Sequence, residues 1–433
     1  MNLKTTLSTF GALAFSCNIF SQANVFFNNG ATVGITDNVD VYVGFDLENS
    51  GTSGLLSNAG RLTVKGDLVN GAELTGGSFV NQSAGKDTGV FNLYGNWENN
   101  KLFTADESTV KLLGNTQFVK GTVITSFYNL EAQETAGSVK NLDTVDANVT
   151  NLFTLKNGVE FATGEQKLNI TSANASAIAY DANSFVSSTG AGRLTRATLS
   201  TSDYYFPLGS STSGVATVRP LVLKPTNSTQ AVYDARFVHN DPTNDGFDVA
   251  VKAANVDVVN NQFYHLVKQS LGNALNADLS ILYKQSVDGS FNSIGRWKGL
   301  PQWEDLIADG TGQTAPFDFV TKTGWASSDN EVHALITKKN IKEYEFPSVF
   351  TPNGDNKNDR FGVVDKSVAT VESMKIYNRW GELVFDKEKE NSDTWDGTFS
   401  GKLQPTGTYM LYAKIKLLNG EIKNEVRPFT VLY

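Results

Sequence analysis

The chain has 433 residues, with 45 acidic side chains against 36 basic ones and a formal net charge of -9. Without a basic cluster, that balance repels phosphate backbones and excludes nucleic acid as a partner. Hydrophobic residues make up 40% and charged residues only 19%, with 38 glycines among many Asn, Thr and Ser, the composition of an all-β, turn-rich protein of about three domains.

At the N-terminus, Lys4 is the only charge before an apolar run of 14 residues from Leu7 to Phe20, and Ser21-Gln22-Ala23 follows as a small-x-small cleavage site. Residues 1–23 therefore read as a signal peptide. The run is short of the ~20 residues a membrane-spanning helix needs, so the exported chain is expected to be soluble. Cys17 is the sole cysteine and would leave with the leader, which excludes an internal disulfide. Ala14-Phe15-Ser16-Cys17 offers a lipoprotein anchor as the alternative, against which stand Phe15 and the missing Leu.

Residues 24–194 carry a repeat. VYVGFDLEN (Val41 to Asn49), LTVKGDLVN (Leu62 to Asn70), FNLYGNWEN (Phe91 to Asn99) and VKLLGNTQF (Val110 to Phe118) align without gaps, 21, 29 and 19 residues apart. Positions one and three are apolar, and position six is Asp46, Asp67, Asn96 and Asn115. That pattern describes one strand and the turn ending it, and a copy this small can bury its apolar row only by stacking on its neighbours. A β-solenoid with rungs of roughly 20 residues follows, and Phe127-Tyr128-Asn129-Leu130 and Leu152 to Gly158 continue it as degenerate rungs. The position-six residues read as turn-formers stacked in a polar ladder. A row for calcium or sugar hydroxyls is the competing reading, and the missing calcium nonapeptide argues against it.

Residues 195–340 lose the repeat. Tyr204 to Gly209, Val218 to Leu223, Ile281 to Tyr283 and Phe291 to Trp297 read as short strands between Gly, Pro and Asn, which predicts a central antiparallel β-sandwich. Trp297, Trp303 and Trp325 fit its core better than a sugar platform, because no aromatic pair alternates on one face. His239, His265 and His333 are scattered, so they predict no zinc site. Nucleophile elbows, P-loops and HExxH are absent, and Ser188 to Arg193 (STGAGR) and Asp309 to Thr314 (DGTGQT) fall short of a dinucleotide fingerprint. Catalytic residues are therefore not expected; Glu304-Asp305 beside Trp303 is the one local carboxylate pair weighed for glycoside hydrolysis, and a solvated turn accounts for it better.

Residues 341–433 form the last domain. Tyr409, Leu411, Ala413, Ile415 and Leu417 alternate with polar or aromatic neighbours as one strand, Asn419-Gly420 suits a type I′ turn, and Ile422 to Tyr433 returns as its partner. Met374 to Ile376 and Leu383 to Phe385 flank Arg379-Trp380-Gly381-Glu382 as a second hairpin, which makes at least four strands. In the loop Asn353 to Asp359, oxygens at Asn353, Asp355, Asn358 and Asp359 make a candidate calcium site. Lys357 sits where a third ligand would fall, and Asx turns are the competing reading.

Several motifs stand in order here: Phe350-Thr351-Pro352-Asn353, then Asp355, Asn358-Asp359, Asn378-Arg379-Trp380-Gly381, Trp395-Asp396-Gly397 and Gly407-Thr408-Tyr409. This set resembles the type B C-terminal sorting domain of the Bacteroidetes type IX secretion system, also called the gliding motility-associated C-terminal domain. The resemblance implies a small Ig-like β-sandwich, export across both membranes to the cell surface or beyond, recognition by the type IX translocon, and a PorP/SprF-like outer-membrane protein as partner. It requires no cofactor. Asn356 stands where that family usually has Gly, and Asn tolerates the same left-handed backbone. Asp143-Thr144-Val145 also resembles a short O-glycosylation site of such bacteria. The chain is thus expected to be a non-enzymatic surface or secreted protein for adhesion, gliding or matrix building, with surface glycans as candidate ligands. A secreted polysaccharide hydrolase or a glycan-binding module on the same route is the alternative.

Overall fold

The computed structural model describes Thr5–Thr6 and residues 24–433 apart from 52–53, 72–77, 81–88, 273–275, 299–301, 328–331, 340–343, 356, 367 and 418–420. The expected signal peptide (apart from Thr5–Thr6), the Cys17 alternative, Asn356 and the Asn419-Gly420 turn lie outside the described residues. The chain divides into two units, Met1–Lys252 with Val258–Thr337, and Ala253–Asp257 with Lys338–Tyr433.

The first unit opens with about seven turns of parallel β-solenoid over residues 25–196. One face stacks eight strands in succession, from Val25–Asn29 and Asp46–Ser50 through Leu68–Asn70 and Trp97–Asn99 to Phe185–Ser187. A second face stacks Asp40–Val43, Arg61–Val64, Val90–Leu93 and Thr109–Leu112 before the long strands Thr125–Gln133 and Ala147–Lys156. The repeat alignment is the physical register: Val41 pairs with Leu62, Leu62 with Phe91, and Phe91 with Val110. Leu62, Phe91 and Val110 are buried in one continuous core, each such side chain contributing on the order of 1.5–3 kcal/mol. Corners stack so closely that a Cβ on Gly95 would lie 2.3 Å from the Gly66 backbone, which explains the glycine before position six.

The gapless alignment holds only up to the corner of the fourth copy. Trp97 pairs with Val119 rather than with Thr116, because Gln117 turns inward. Its amide accepts from Gly114 N at 2.7 Å and donates to Leu93 O at 3.0 Å, and the buried ammonium of Lys140 reaches its Oε1 at 3.0 Å.

Arg193–Thr198 ends the solenoid. It runs parallel to Lys167–Ile170 on one side and antiparallel to Ala231–Val238 on the other, so the last parallel edge is paired rather than left open to other chains. From there two antiparallel sheets face each other. One continues through Tyr264–Leu271, Val332–Lys338, Ser293–Lys298 and Gln302–Asp305; the other orders Tyr204–Phe206, Leu221–Pro225, Asn276–Tyr283, Phe317–Ala326 and Gly310–Thr314. Tyr233, Val267, Ile281, Val320 and Leu335 belong to the same buried cluster as the solenoid residues. Trp303 and Trp325 are buried, while Trp297 is half-buried and meets Trp303 edge-on at 5.6 Å.

The second unit holds a five-stranded sheet in the order Val349–Phe350, Ile422–Val431, Gly407–Leu417, Ala369–Tyr377, Leu383–Asp386, with a short hairpin of Thr398–Phe399 and Lys402–Leu403. Tyr409, Leu411, Ala413 and Ile415 are buried in alternation with more exposed neighbours, as their period of two predicts.

Candidate functional site

The C-terminal motifs separate into two groups. Phe350 and Trp395 meet in the core with ring centroids 5.6 Å apart, and Trp395 lies 5.4 Å from Tyr409. The Trp395 indole donates to Thr398 O at 2.8 Å, and the Tyr409 hydroxyl to Pro405 O at 2.8 Å. Gly397 has φ +80°, and a Cβ there would come 2.7 Å from Pro352. The FTPN and WDG segments are therefore two halves of one packing contact, together with the aromatic ring of the GTY segment.

The second group faces water. Asn378 Oδ1 accepts from Trp380 N and Glu382 N, both at 3.0 Å, and this fixes the hairpin tip. Trp380 is 81% exposed and lies 5.3 Å from the Arg379 guanidinium. The tip and the segment Pro405 to Tyr409 line a cavity of about 240 Å³. The indole thus presents a large apolar face to solvent.

The candidate calcium loop turns its oxygens onto its own backbone. Asn353 Oδ1 accepts from Asp355 N at 3.1 Å, Asp355 Oδ1 from Lys357 N at 2.8 Å, and Asp359 Oδ1 from Gly354 N at 2.7 Å. Asn358 has φ +58° and donates to Val349 O at 2.8 Å. The Asn353 and Asp355 bonds are Asx turns, while Asp359 and Asn358 tie the loop to backbone farther along the chain.

Residues 344–427 match the family model of the CHU_C Type IX secretion signal domain. The C-terminal domain is a type IX secretion signal domain. A chain carrying this signal domain is exported to the cell surface or the extracellular space and is handled by the type IX machinery. No curated protein and no solved structure matched the chain.

Upstream of the signal domain, the position-six side chains build a ladder. Asp46 Oδ1 accepts from Asp67 N at 2.8 Å, Asp67 Oδ1 from Asn96 N at 2.7 Å, and Asn96 Oδ1 from Phe118 N at 2.8 Å. Asn115 leaves the row at the displaced corner and accepts from the Ser138 hydroxyl at 2.9 Å. A second, buried ladder joins Asn28, Asn49, Asn70 and Asn99 through amide bonds of 2.8, 3.2 and 2.8 Å. The shared final Asn of the first three repeat copies is its sequence signal.

The other upstream candidates are held by structural bonds. Glu304 and Asp305 are consecutive in one strand and project to opposite faces; Glu304 lies 3.8 Å from Arg296, and Asp305 accepts from Ser293 Oγ and Ile307 N. His265 and His333 are cross-strand neighbours, yet His265 bonds the Arg219 carbonyl at 2.8 Å and His333 accepts from the Trp325 indole at 3.1 Å. Burial lowers the His265 pKa to about 4, so the ring is neutral at pH 7. Thr144, in the Asp143-Thr144-Val145 segment, is exposed with φ +71° and donates to Gly121 O at 2.8 Å.

One further site joins residues that no single motif brings together. Where the last solenoid turn meets the sandwich, a cleft of about 630 Å³ is lined by Thr189, Arg236, His239, Asp245, Phe247 and Tyr264 among others. His239 and the Ser188 to Arg193 segment are what the sequence singles out here, and the other lining residues come from segments far apart along the chain.

Proposed function

We propose that the chain is a non-enzymatic surface or secreted protein of a Bacteroidetes bacterium, serving adhesion, gliding or matrix building. An N-terminal signal peptide takes it across the inner membrane, and the type IX translocon, with a PorP/SprF-like outer-membrane protein, takes it across the outer one. The observation that carries this reading is the signal domain, whose Trp380 hairpin is open to a partner while Phe350 and Trp395 are buried. The solenoid and sandwich are then the cargo. Its ladders join side chains to neighbouring rungs, a scaffold's use of Asn and Asp.

A polysaccharide hydrolase on the same route needs two carboxylates about 5–10 Å apart. Asp245 is the one carboxylate among the described residues that line the junction cleft, which favours binding over turnover. No cofactor is proposed, and bonds to backbone give the Asn353, Asp355, Asn358 and Asp359 side chains a structural role; a thermal shift on titrating calcium to millimolar concentration would reverse that assignment.

The test is export. Deleting residues 344–433 is expected to strand the protein in the periplasm, and Trp380→Ala to reduce surface delivery without lowering the melting temperature. Normal surface display of the truncated chain overturns the reading.

A further inference from the structure

The junction cleft is built from two kinds of structure. Thr189 and Gly190 follow the last solenoid strand of one face, while Arg236, His239 and Tyr264 come from the sandwich. Its volume of about 630 Å³ lies in the range of small-ligand sites. The Phe247 and Tyr264 rings meet edge-on at 5.6 Å and give it an aromatic wall.

The polar groups are incompletely used. Arg236 Nη1 donates to Gly190 O at 2.7 Å, but its buried Nε has no hydrogen-bond partner. Burial, then the neighbouring Arg193, lowers its pKa, against the opposing pull of Tyr264, Asp245 and Glu165. The buried Nδ1 of His239 also lacks a partner, and burial followed by the charge of Arg219 keeps that ring neutral. Asp245 accepts from the Tyr264 hydroxyl at 2.9 Å and from Asn240 Nδ2 at 3.0 Å. Both bonds fall on Oδ2 and leave Oδ1 for a further donor.

A guanidinium edge suits a carboxylate. A carboxylate oxygen, a neutral imidazole and threonine hydroxyls suit a ligand rich in hydroxyls, and an aromatic wall suits a sugar face. We propose that this cleft binds an acidic saccharide, with the carboxylate of a uronate residue on Arg236, its hydroxyls on Asp245 and His239, and its ring against Tyr264. The inference does not depend on the route of export, so its failure leaves the export reading intact.

Calorimetric titration of the full chain tests it with three probes: a galacturonate trisaccharide, the matching neutral galactose trisaccharide, and acetate. The acidic trisaccharide is expected to bind saturably, the neutral one at least about tenfold more weakly, and acetate to compete poorly. Arg236→Gln is expected to remove the preference for acid while the melting temperature holds. Should that variant unfold, Asp245→Asn at an exposed position gives the second reading, with a several-fold loss of uronate affinity expected. Equal binding of the two trisaccharides, displacement of the uronate by acetate at equal concentration, uronate binding that survives in Arg236→Gln or is unchanged in Asp245→Asn, or no binding of any probe overturns the proposal.

Discussion

The solenoid and the sandwich share one core and solve the same problem in opposite ways. In the solenoid, buried asparagines form a row along the axis, each amide bonded to the one a turn away. In the sandwich they are closed off singly. Arg219 donates to Asp288 through Nε at 2.6 Å and Nη2 at 2.5 Å, with both side chains almost wholly buried. A row can be extended or shortened by a rung, whereas a closed pair has no substitute partner. The sandwich should therefore be brittle to polar substitution and the solenoid forgiving.

The largest effect is expected at the closed pair. Asp288→Ala leaves the Arg219 guanidinium buried without its counter-charge and should cost about 3–5 kcal/mol, measured by chemical denaturation of the full chain. A loss comparable to that of a surface substitution would break the contrast. His265 sharpens it through pH. Its pKa is lowered from 6.5 to about 4 by burial, only partly offset by its bond to Arg219 O. Between those values the unfolded chain binds a proton that the folded chain refuses, so stability falls as pH drops from 6.5 towards 4, by up to about 3 kcal/mol. His265→Gln is expected to flatten that slope relative to the parent, although it lowers stability at pH 7. An unchanged slope would show that the ring is not held neutral.

The same contrast decides what could be read from the sequence. The solenoid is legible because every rung reuses the same offsets, and the pairing of Val41, Leu62, Phe91 and Val110 reproduces the alignment residue for residue. Its legibility ends at Gln117, where an inward amide displaces the corner without changing the local pattern. The signal domain is legible because its motifs mark close packing, as Gly397 against Pro352 does. The junction cleft is not. Thr189, Arg236, Asp245 and Tyr264 are brought together by the switch from parallel to antiparallel pairing at Arg193–Thr198, and no periodicity announces a change of direction.

Within the solenoid the effects should be smaller and graded. Asn70→Ala removes bonds to Asn49, Asn99 and Leu102 O, worth about 2 kcal/mol together. Asn99→Ala, at the far end of the row and held there by the one amide bond from Asn70, should cost less. Equal losses at the two positions would mean that the amides act independently rather than as a ladder.

The smallest effect makes the most direct comparison, because one chemical change can be placed in both regions. Asp46 Oδ1 accepts from Asp67 N, and one rung pair later Asn96 Oδ1 does the same for Phe118 N. An amide oxygen already performs this role in the ladder, so Asp46→Asn keeps the bond and should change stability by no more than about 0.5 kcal/mol. Asp288→Asn also keeps the shape of the side chain, but it removes the charge opposite Arg219 and sets an NH₂ group against a guanidinium donor. Its expected cost is above about 2 kcal/mol. Denaturation curves of the two variants, measured side by side, separate a polar group held by a row from one held by a single counter-charge.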